Sequence, residues 1–323
     1  MTAASLGSVE HLDVPNGDGS VESLPPSRRT GPLVGLVEAL RPKQWVKNVL
    51  VGAAPAAAGV AFHRDILQKT ALTFVAFCLV ASATYLLNDS IDAPADRLHP
   101  TKRNRPIARG DVAIPVALTT SVVLAIAGVL LGWLTCTPKL GIILAAYVVI
   151  NIGYCFGLKR VPVIELGCVA SGFILRAAAG GAATHLPLSK WFVVVVSFGA
   201  LFIVTGKRMS EFQALGVKRG TTRKVLGEYT ASFLEAVLTL SAGISITTYC
   251  LWTFDQAQPH GSVNPRFGLL ELTTVPVVLG VLHVLRLMDA GKGGSPEDLV
   301  YGDHLLQALG LSFVILFALG LYV

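Results

Sequence analysis

Apolar residues in this chain gather into long runs, with the polar residues collected in short clusters between them. Nine runs of about 17–25 residues can be drawn, the length a helix needs to cross the hydrocarbon core of a bilayer. They lie at 45–62, 68–88, 113–134, 139–157, 162–183, 190–206, 229–254, 267–287 and 304–323. The pattern predicts an all-α integral membrane protein with nine transmembrane helices. The first run is the weakest, because Gly52, Pro55 and Gly59 interrupt it. Residues 33–44 read as an amphipathic helix at the interface. Residues 1–30, rich in Ser, Gly, Pro, Asp and Glu, read as a disordered cytoplasmic tail, which leaves 31–323 as a single transmembrane domain.

Composition sharpens this picture. The chain is 53% hydrophobic and 14% charged, with a mean hydropathy of +0.63. Soluble domains average about 25% charged residues, so a globular domain with one anchor is excluded. Five scattered cysteines without Cys-x-x-Cys spacing read as small core residues. No signal peptide is visible. The N-terminal side and the loops after the even-numbered runs hold twenty of the 26 Lys and Arg residues, and the other loops hold five. By the positive-inside rule, the N-terminus and the even loops face the cytoplasm of the cell (plasma) membrane, and the C-terminus lies outside. Topology accounts for this cation excess, and no nucleic-acid partner is expected.

Three carboxylates follow the second run directly, in Asn88-Asp89-Ser90-Ile91-Asp92-Ala93-Pro94-Ala95-Asp96. On a helix, positions 89, 92 and 96 project from one face. Clustered anions repel unless a cation lies between them, and an oxygen-only set suits Mg2+. Pro94 is expected to disturb the helix between Asp92 and Asp96, so that Asp96 binds a metal through water or lies outside its direct ligands. The chain then turns basic in His99-Pro100-Thr101-Lys102-Arg103-Asn104-Arg105-Pro106. Carboxylates for a metal beside cations for phosphate suit a site that handles a diphosphate. The plain alternative is a solvated acidic helix end.

Other charges sit at the same boundary. Lys207 and Arg208, directly after the sixth run, read as phosphate contacts, with Glu211 on the same helical face as Lys207. The stretch from Lys218 to Lys224 reads as a solvated loop drawn to anionic lipid. Arg176 falls near the middle of the fifth run, where an unpaired charge costs about 2.5–3.5 kcal/mol to insert. It must face a polar cavity, a carboxylate such as Glu165 or Glu235, or an anionic ligand. Tyr154 and the Lys159-Arg160 pair lie around the short loop after the fourth run. Trp45 reads as an interfacial anchor, and Lys47 as the better candidate for a ligand contact. His283 reads as a satisfied core residue, and His185 and His260 fall in outside loops. With no Ser-His-Asp order, Walker loop or Rossmann fingerprint, nucleophilic catalysis by a side chain is not supported.

The Asn-Asp-x-x-Asp-x-x-x-Asp stretch after the second of nine runs resembles the UbiA-type intramembrane prenyltransferases, over nearly all of the chain after the tail. The resemblance implies a helical bundle around a cytoplasm-facing cavity, with Mg2+ held by Asn88, Asp89, Asp92 and Asp96 against a diphosphate. Typical members carry a second aspartate-rich motif after the sixth run. Here that place reads Gly206-Lys207-Arg208-Met209-Ser210-Glu211, which argues against a prenyl diphosphate donor. Together with Arg41-Pro42-Lys43-Gln44-Trp45-Val46-Lys47-Asn48, Tyr154-Cys155-Phe156-Gly157-Leu158-Lys159 and Arg176-Ala177-Ala178-Ala179-Gly180-Gly181, it is similar to one branch of that family. That branch transfers phosphoribosyl from phosphoribosyl diphosphate to polyprenyl (decaprenyl) phosphate, for cell-wall arabinan.

The surplus of cations agrees with a small donor carrying several phosphates. On this reading Asp89 and Asp92 are catalytic. Lys47, Lys102, Arg103, Arg105, Tyr154, Lys159, Arg176, Lys207 and Arg208 bind substrate, and Glu211 is available to a second Mg2+. A prenyltransferase acting on an aromatic acceptor is the nearest alternative. A transporter is the alternative from another class, although no inverted repeat is evident. Whether the chain forms a homo-oligomer is left open.

Overall fold

The computed structural model describes residues 31–99, 101–215, 224–257, 267–290, 299 and 302–322. The tail, the basic residues Lys218, Arg219 and Arg223, and His260 lie outside the described residues. Among the described residues all regular structure is helical: α1 (Pro32–Ala39), a 3-10 segment (Pro42–Gly52), α2 (Ala53–Ala57), α3 (Arg64–Arg97), α4 (Ile114–Thr135), α5 (Pro138–Phe156) and α6 (Ile164–Thr184). They are followed by α7 (Lys190–Leu215), α8 (Lys224–Gly227), α9 (Ala231–Ala257), α10 (Phe267–Leu272), α11 (Thr274–Asp289) and α12 (His304–Tyr322). Among the described residues eight helical stretches are long and apolar enough to cross a membrane, with α10 and α11 counting as one. This is a multi-pass membrane protein.

The expected first span departs from the pattern. Residues 42–57 form a 3-10 segment and a short α-helix instead of one regular helix. Pro55 lacks an amide proton and Gly52 and Gly59 favour non-helical backbone, so the apolar run cannot hold one continuous ladder. The expected interfacial helix over 33–44 ends at Ala39, and Arg41 adopts φ 55°, ψ 58°. Pro42 disfavours α geometry at the residue before it, which stops the helix there. Two helices run further than the apolar pattern suggests. α3 continues through the whole acidic stretch to Arg97, with Pro94 inside it, and α7 continues through Lys207, Arg208 and Glu211 to Leu215. Where a loop was read after the sixth run, the chain is helical, because nothing from Gly206 to Leu215 breaks the backbone ladder.

Burial separates central helices from lipid-facing ones. The apolar stretch of α3 is 56% buried and that of α6 50%, against 17% for α4 and 11% for α12. The apolar faces of α3, α5 and α6 and the 3-10 segment meet around Phe77, Val80, Leu140, Leu144, Tyr147 and Val51. A second cluster seams α6 to α7, α8 and the start of α9 through Leu166, Val204, Phe212, Leu226, Tyr229 and Leu234. The 3-10 segment lies so close to α6 that a Cβ at Gly180 would collide with the Val51 carbonyl. That close approach is what the small-residue run after Arg176 permits.

Candidate functional site

The acidic stretch forms the last turns of the central helix α3. At about 100° per residue, Asp96 stands roughly 20° around the helix from Asp89, and Asp92 roughly 60°. The partners follow that geometry. Asp89 and Asp96, 3% and 4% exposed, share Arg105, whose Nη1 donates to Asp89 Oδ1 at 3.1 Å and Asp96 Oδ2 at 2.7 Å. Asp92 turns aside to accept from Lys159 Nζ at 2.6 Å. Pro94 is exposed and leaves the helix continuous, so Asp96 stays beside Asp89 where a displaced side chain was expected. Asn88 donates from Nδ2 to Asp89 Oδ1 at 3.4 Å, and its Oδ1 accepts from the Cys155 thiol at 3.6 Å.

Arg41 is the site residue that sequence reasoning passed over. Its Nη2 lies 2.7 Å from both oxygens of Asp89, and its guanidinium sits 5.0 Å from the Tyr85 ring centroid. It is placed by the chain reversal after α1. The Leu40 carbonyl accepts from Ser82 Oγ at 3.0 Å, and Ser82 Oγ accepts from Trp45 Nε1 at 3.1 Å. Trp45, expected as an interfacial anchor, therefore reaches inward to α3. The available signal was the Arg41-Pro42 dipeptide, which marks a sharp turn beside a cation.

A second clamp secures Arg105. Arg109 donates to Glu38 Oε2 at 2.6 Å, Asp111 Oδ2 at 2.7 Å and the Asn104 carbonyl at 2.9 Å, tying the basic loop to α1. Burial opposes the charge of Arg109, but its hydrogen bonds to the carboxylates of Glu38 and Asp111 outweigh that and raise its pKa above the ordinary arginine value. In the same loop Lys102 is exposed, and Arg103 keeps a buried Nε without a hydrogen-bond partner. Lys47 and Tyr154 are half-buried, and Lys207 is exposed.

Two arginines behave differently from their sequence reading. Arg208, grouped there with the phosphate contacts, is 4% exposed and gives its guanidinium to acids. Nε and Nη2 meet the two oxygens of Glu165 at 2.7 and 2.9 Å, and Nη1 meets Glu211 Oε2 at 2.9 Å. Glu211, grouped with the metal ligands, is thereby drawn to Arg208. Arg176 has no carboxylate partner among the described residues, since Glu165 belongs to Arg208. It sits in a neutral cage, donating to Asn48 Oδ1 at 2.7 Å, the Gly172 carbonyl at 2.7 Å and Tyr147 Oη at 3.1 Å. The rings of Tyr147 and Phe77 lie 4.9 and 5.5 Å from its guanidinium carbon. These acceptors and π faces soften the burial of a cation without neutralising it. His283 is satisfied, with Nε2 3.0 Å from Asp303 Oδ2.

The donor set suits a hard cation. Among the described residues no three Asp, Glu, His or Cys side chains converge to hold a metal alone. Mg2+ seldom needs such a cage: one or two carboxylates with water and substrate phosphate complete its shell. Asp89, Asp92 and Asn88 supply only oxygen donors, and Asp89 already accepts positive charge from two guanidinium groups.

The sequence profile of the UbiA prenyltransferase family matches residues 48–291, which include every α3 aspartate. The chain belongs to the UbiA prenyltransferase family. Among relatives of this UbiA family member is the decaprenyl-phosphate phosphoribosyltransferase of Mycobacterium tuberculosis, 42% identical over 286 residues, covering 87% of this chain and 92% of the relative. The protein of the same name from Corynebacterium glutamicum is 41% identical over 292 residues, covering 90% and 87%. The fold resembles a UbiA homolog from Archaeoglobus fulgidus solved bound to GPP and Mg2+, with a TM-score of 0.64 and 15% identity over 88% of this chain and 98% of that one.

Proposed function

We propose that this UbiA family member transfers the 5-phosphoribosyl group of phosphoribosyl diphosphate to a polyprenyl (decaprenyl) phosphate and releases pyrophosphate, with Mg2+, at the cytoplasmic face of the plasma membrane. The observation that carries this reading is the pairing of Asp89, Asp92 and Asp96 with basic side chains from separate segments: Arg41, Arg105 and Lys159. A donor bearing both a diphosphate and a 5-phosphate needs acids for a metal and several cations for phosphate oxygens. Identity of 41–42% to relatives named for this transfer supports the choice of donor and acceptor.

Asp89 and Asp92, with Asn88, would hold Mg2+, and Asp96 would keep Arg105 in place. The bound metal supplies charge neutralisation on the departing pyrophosphate. Arg41, Arg105 and Lys159, with Lys47, Lys102, Arg103 and Lys207 around them, bind the donor's phosphates and orient its anomeric carbon. Arg176 and Tyr154 face the acceptor phosphate, which is already an anion at neutral pH and needs no general base. Its oxygen forms the new bond to the anomeric carbon as the bond to pyrophosphate breaks, inverting that centre. Arg208 and Glu211 act as a strut.

Nine crossings remain consistent with the irregular first segment. Eleven 3-10 residues at about 2.0 Å each and five α residues at about 1.5 Å each span roughly 30 Å, a hydrocarbon thickness. That count puts the N-terminus and the acidic face inside and the C-terminus outside, in line with the basic residues.

The test incubates purified protein with labelled phosphoribosyl diphosphate, polyprenyl phosphate and Mg2+, with a prenyl diphosphate and an aromatic acceptor in a parallel arm. Labelled lipid in the first arm, lost in excess chelator, is expected. Product only in the second arm would replace this reading with aromatic prenylation. Changing Arg176 to Gln is expected to raise the KM for the lipid by about tenfold or more, the value of a charged hydrogen bond, with the donor KM near wild type. Equal shifts in both would assign Arg176 to packing.

A further inference from the structure

The turn between α5 and α6 carries Lys159 to Asp92, and its geometry is strained at one residue. Val163 adopts φ 66°, ψ −48°, a region that β-branched side chains rarely enter. Such a conformation persists only where the surroundings over-determine it. Val163 is itself 55% exposed, so its own side chain does not hold it there. Its amide does. The Val163 N–H donates to Tyr229 Oη at 2.9 Å. Tyr229 is 6% exposed, stacks on Phe233 at 5.6 Å and 4°, and belongs to the apolar cluster of Leu166, Phe212 and Leu226. Two residues downstream, the fully buried Glu165 is gripped by Arg208 of α7. The far end of the turn is therefore pinned to α7 and to the segment before α9, and Lys159, on the 3-10 turn Leu158–Arg160, extends from it to α3.

We propose that Tyr229 is a positioning residue: by accepting the amide proton of Val163, it holds the strained turn that presents Lys159 to Asp92. No part of Tyr229 needs to touch substrate. Its hydroxyl acts through the backbone of residues 159–163 on the placement of one ammonium group. The kinetic consequence rests on the phosphoribosyl-transfer reading above, and the structural consequence does not.

Three variants separate these consequences: Tyr229→Phe, Val163→Gly and the two combined. Phenylalanine keeps the stacking and removes the hydroxyl, which accepts from the Val163 amide and also interacts with the Glu165 side chain. In Tyr229→Phe, amide hydrogen exchange across residues 157–163 is expected to quicken by about threefold to tenfold, the worth of one hydrogen bond, with α5 and α6 unchanged. The KM for phosphoribosyl diphosphate should rise by a similar factor and the KM for polyprenyl phosphate should not. Glycine enters positive φ without steric cost, so the kinetic penalty of Tyr229→Phe should shrink to less than about twofold when Val163→Gly is also present. Unchanged exchange over 157–163 in Tyr229→Phe would overturn the proposal. So would an equal penalty in both backgrounds, or a parallel rise in both KM values. A wild-type protein that makes no phosphoribosyl lipid would remove the functional reading and leave the exchange measurement to decide the role of Tyr229.

Discussion

Replacing Asp89 with alanine is expected to cut phosphoribosyl transfer by about a hundredfold to a thousandfold or more, the loss typical when one preorganised charge-stabilising group is removed. The size of the effect follows from how much converges on this carboxylate. It is 3% exposed, meets Arg41 through both oxygens, and shares Arg105 with Asp96. Its removal takes away the proposed metal ligand and leaves two guanidinium groups with one acid between them. Because Arg41 and Arg105 are each about a quarter exposed, water can reach them, and the protein should remain folded. Asp89→Asn is the control for shape: it keeps the side-chain volume, loses the charge, and should be nearly as inactive. Turnover close to wild type in either variant, measured beside a thermal unfolding curve in detergent, would remove Asp89 from the chemistry.

The largest stability effect is expected at Arg208. Its partner Glu165 is 0% exposed, and Arg208→Met leaves that carboxylate buried and unpaired. Breaking one side of a buried ion pair typically costs about 3–5 kcal/mol, enough to lower the unfolding midpoint by many degrees or empty the folded fraction. Combining Arg208→Met with Glu165→Gln should restore much of the loss, since the buried charge is then gone from both sides. Recovery in the double variant, with the donor KM near wild type, would establish Arg208 as a strut. A donor KM that stays high after stability returns would make it a phosphate ligand, as the sequence alone suggests. An Arg208→Met protein as stable as wild type would mean that Glu165 is hydrated and that the seam between α6 and α7 is looser than the structure has it.

Much of this site was readable before any coordinates. The Asn88–Asp96 stretch announced its face by spacing, and Arg105 stood in the basic run directly after it, whereas the Lys159-Arg160 pair was weak evidence in a loop where topology already predicts cations. Arg41 escaped because a basic residue before the first span is what positive-inside topology already predicts. Nothing local distinguishes an arginine that turns back onto α3 from one that anchors at the headgroups. Arg208 was visible but misplaced for a related reason. Its nearest sequence acid, Glu211, is three residues away, while the acid that takes two of its nitrogens is Glu165, 43 residues earlier. The extension of α7 to Leu215 was hidden by a hydropathy pattern that ends at Gly206. Hydropathy marks where the lipid stops, and a helix can continue into water or against protein.

The amino-acid sequence by itself determined that this chain is helical, crosses a membrane many times and carries a one-sided cluster of acids among cations. Those properties depend on the length of apolar runs, on helical periodicity and on the side where basic residues accumulate, all of which are local. Only the tertiary structure decided which cation meets which acid: Arg41 and Arg105 on Asp89, Lys159 on Asp92, Arg208 on Glu165, and, among the described residues, no carboxylate on Arg176. An ion pair forms where two side chains are brought within a few ångströms and shielded from water. That distance is set by the packing of α3, α6 and α7, whose contributing residues lie far apart along the chain.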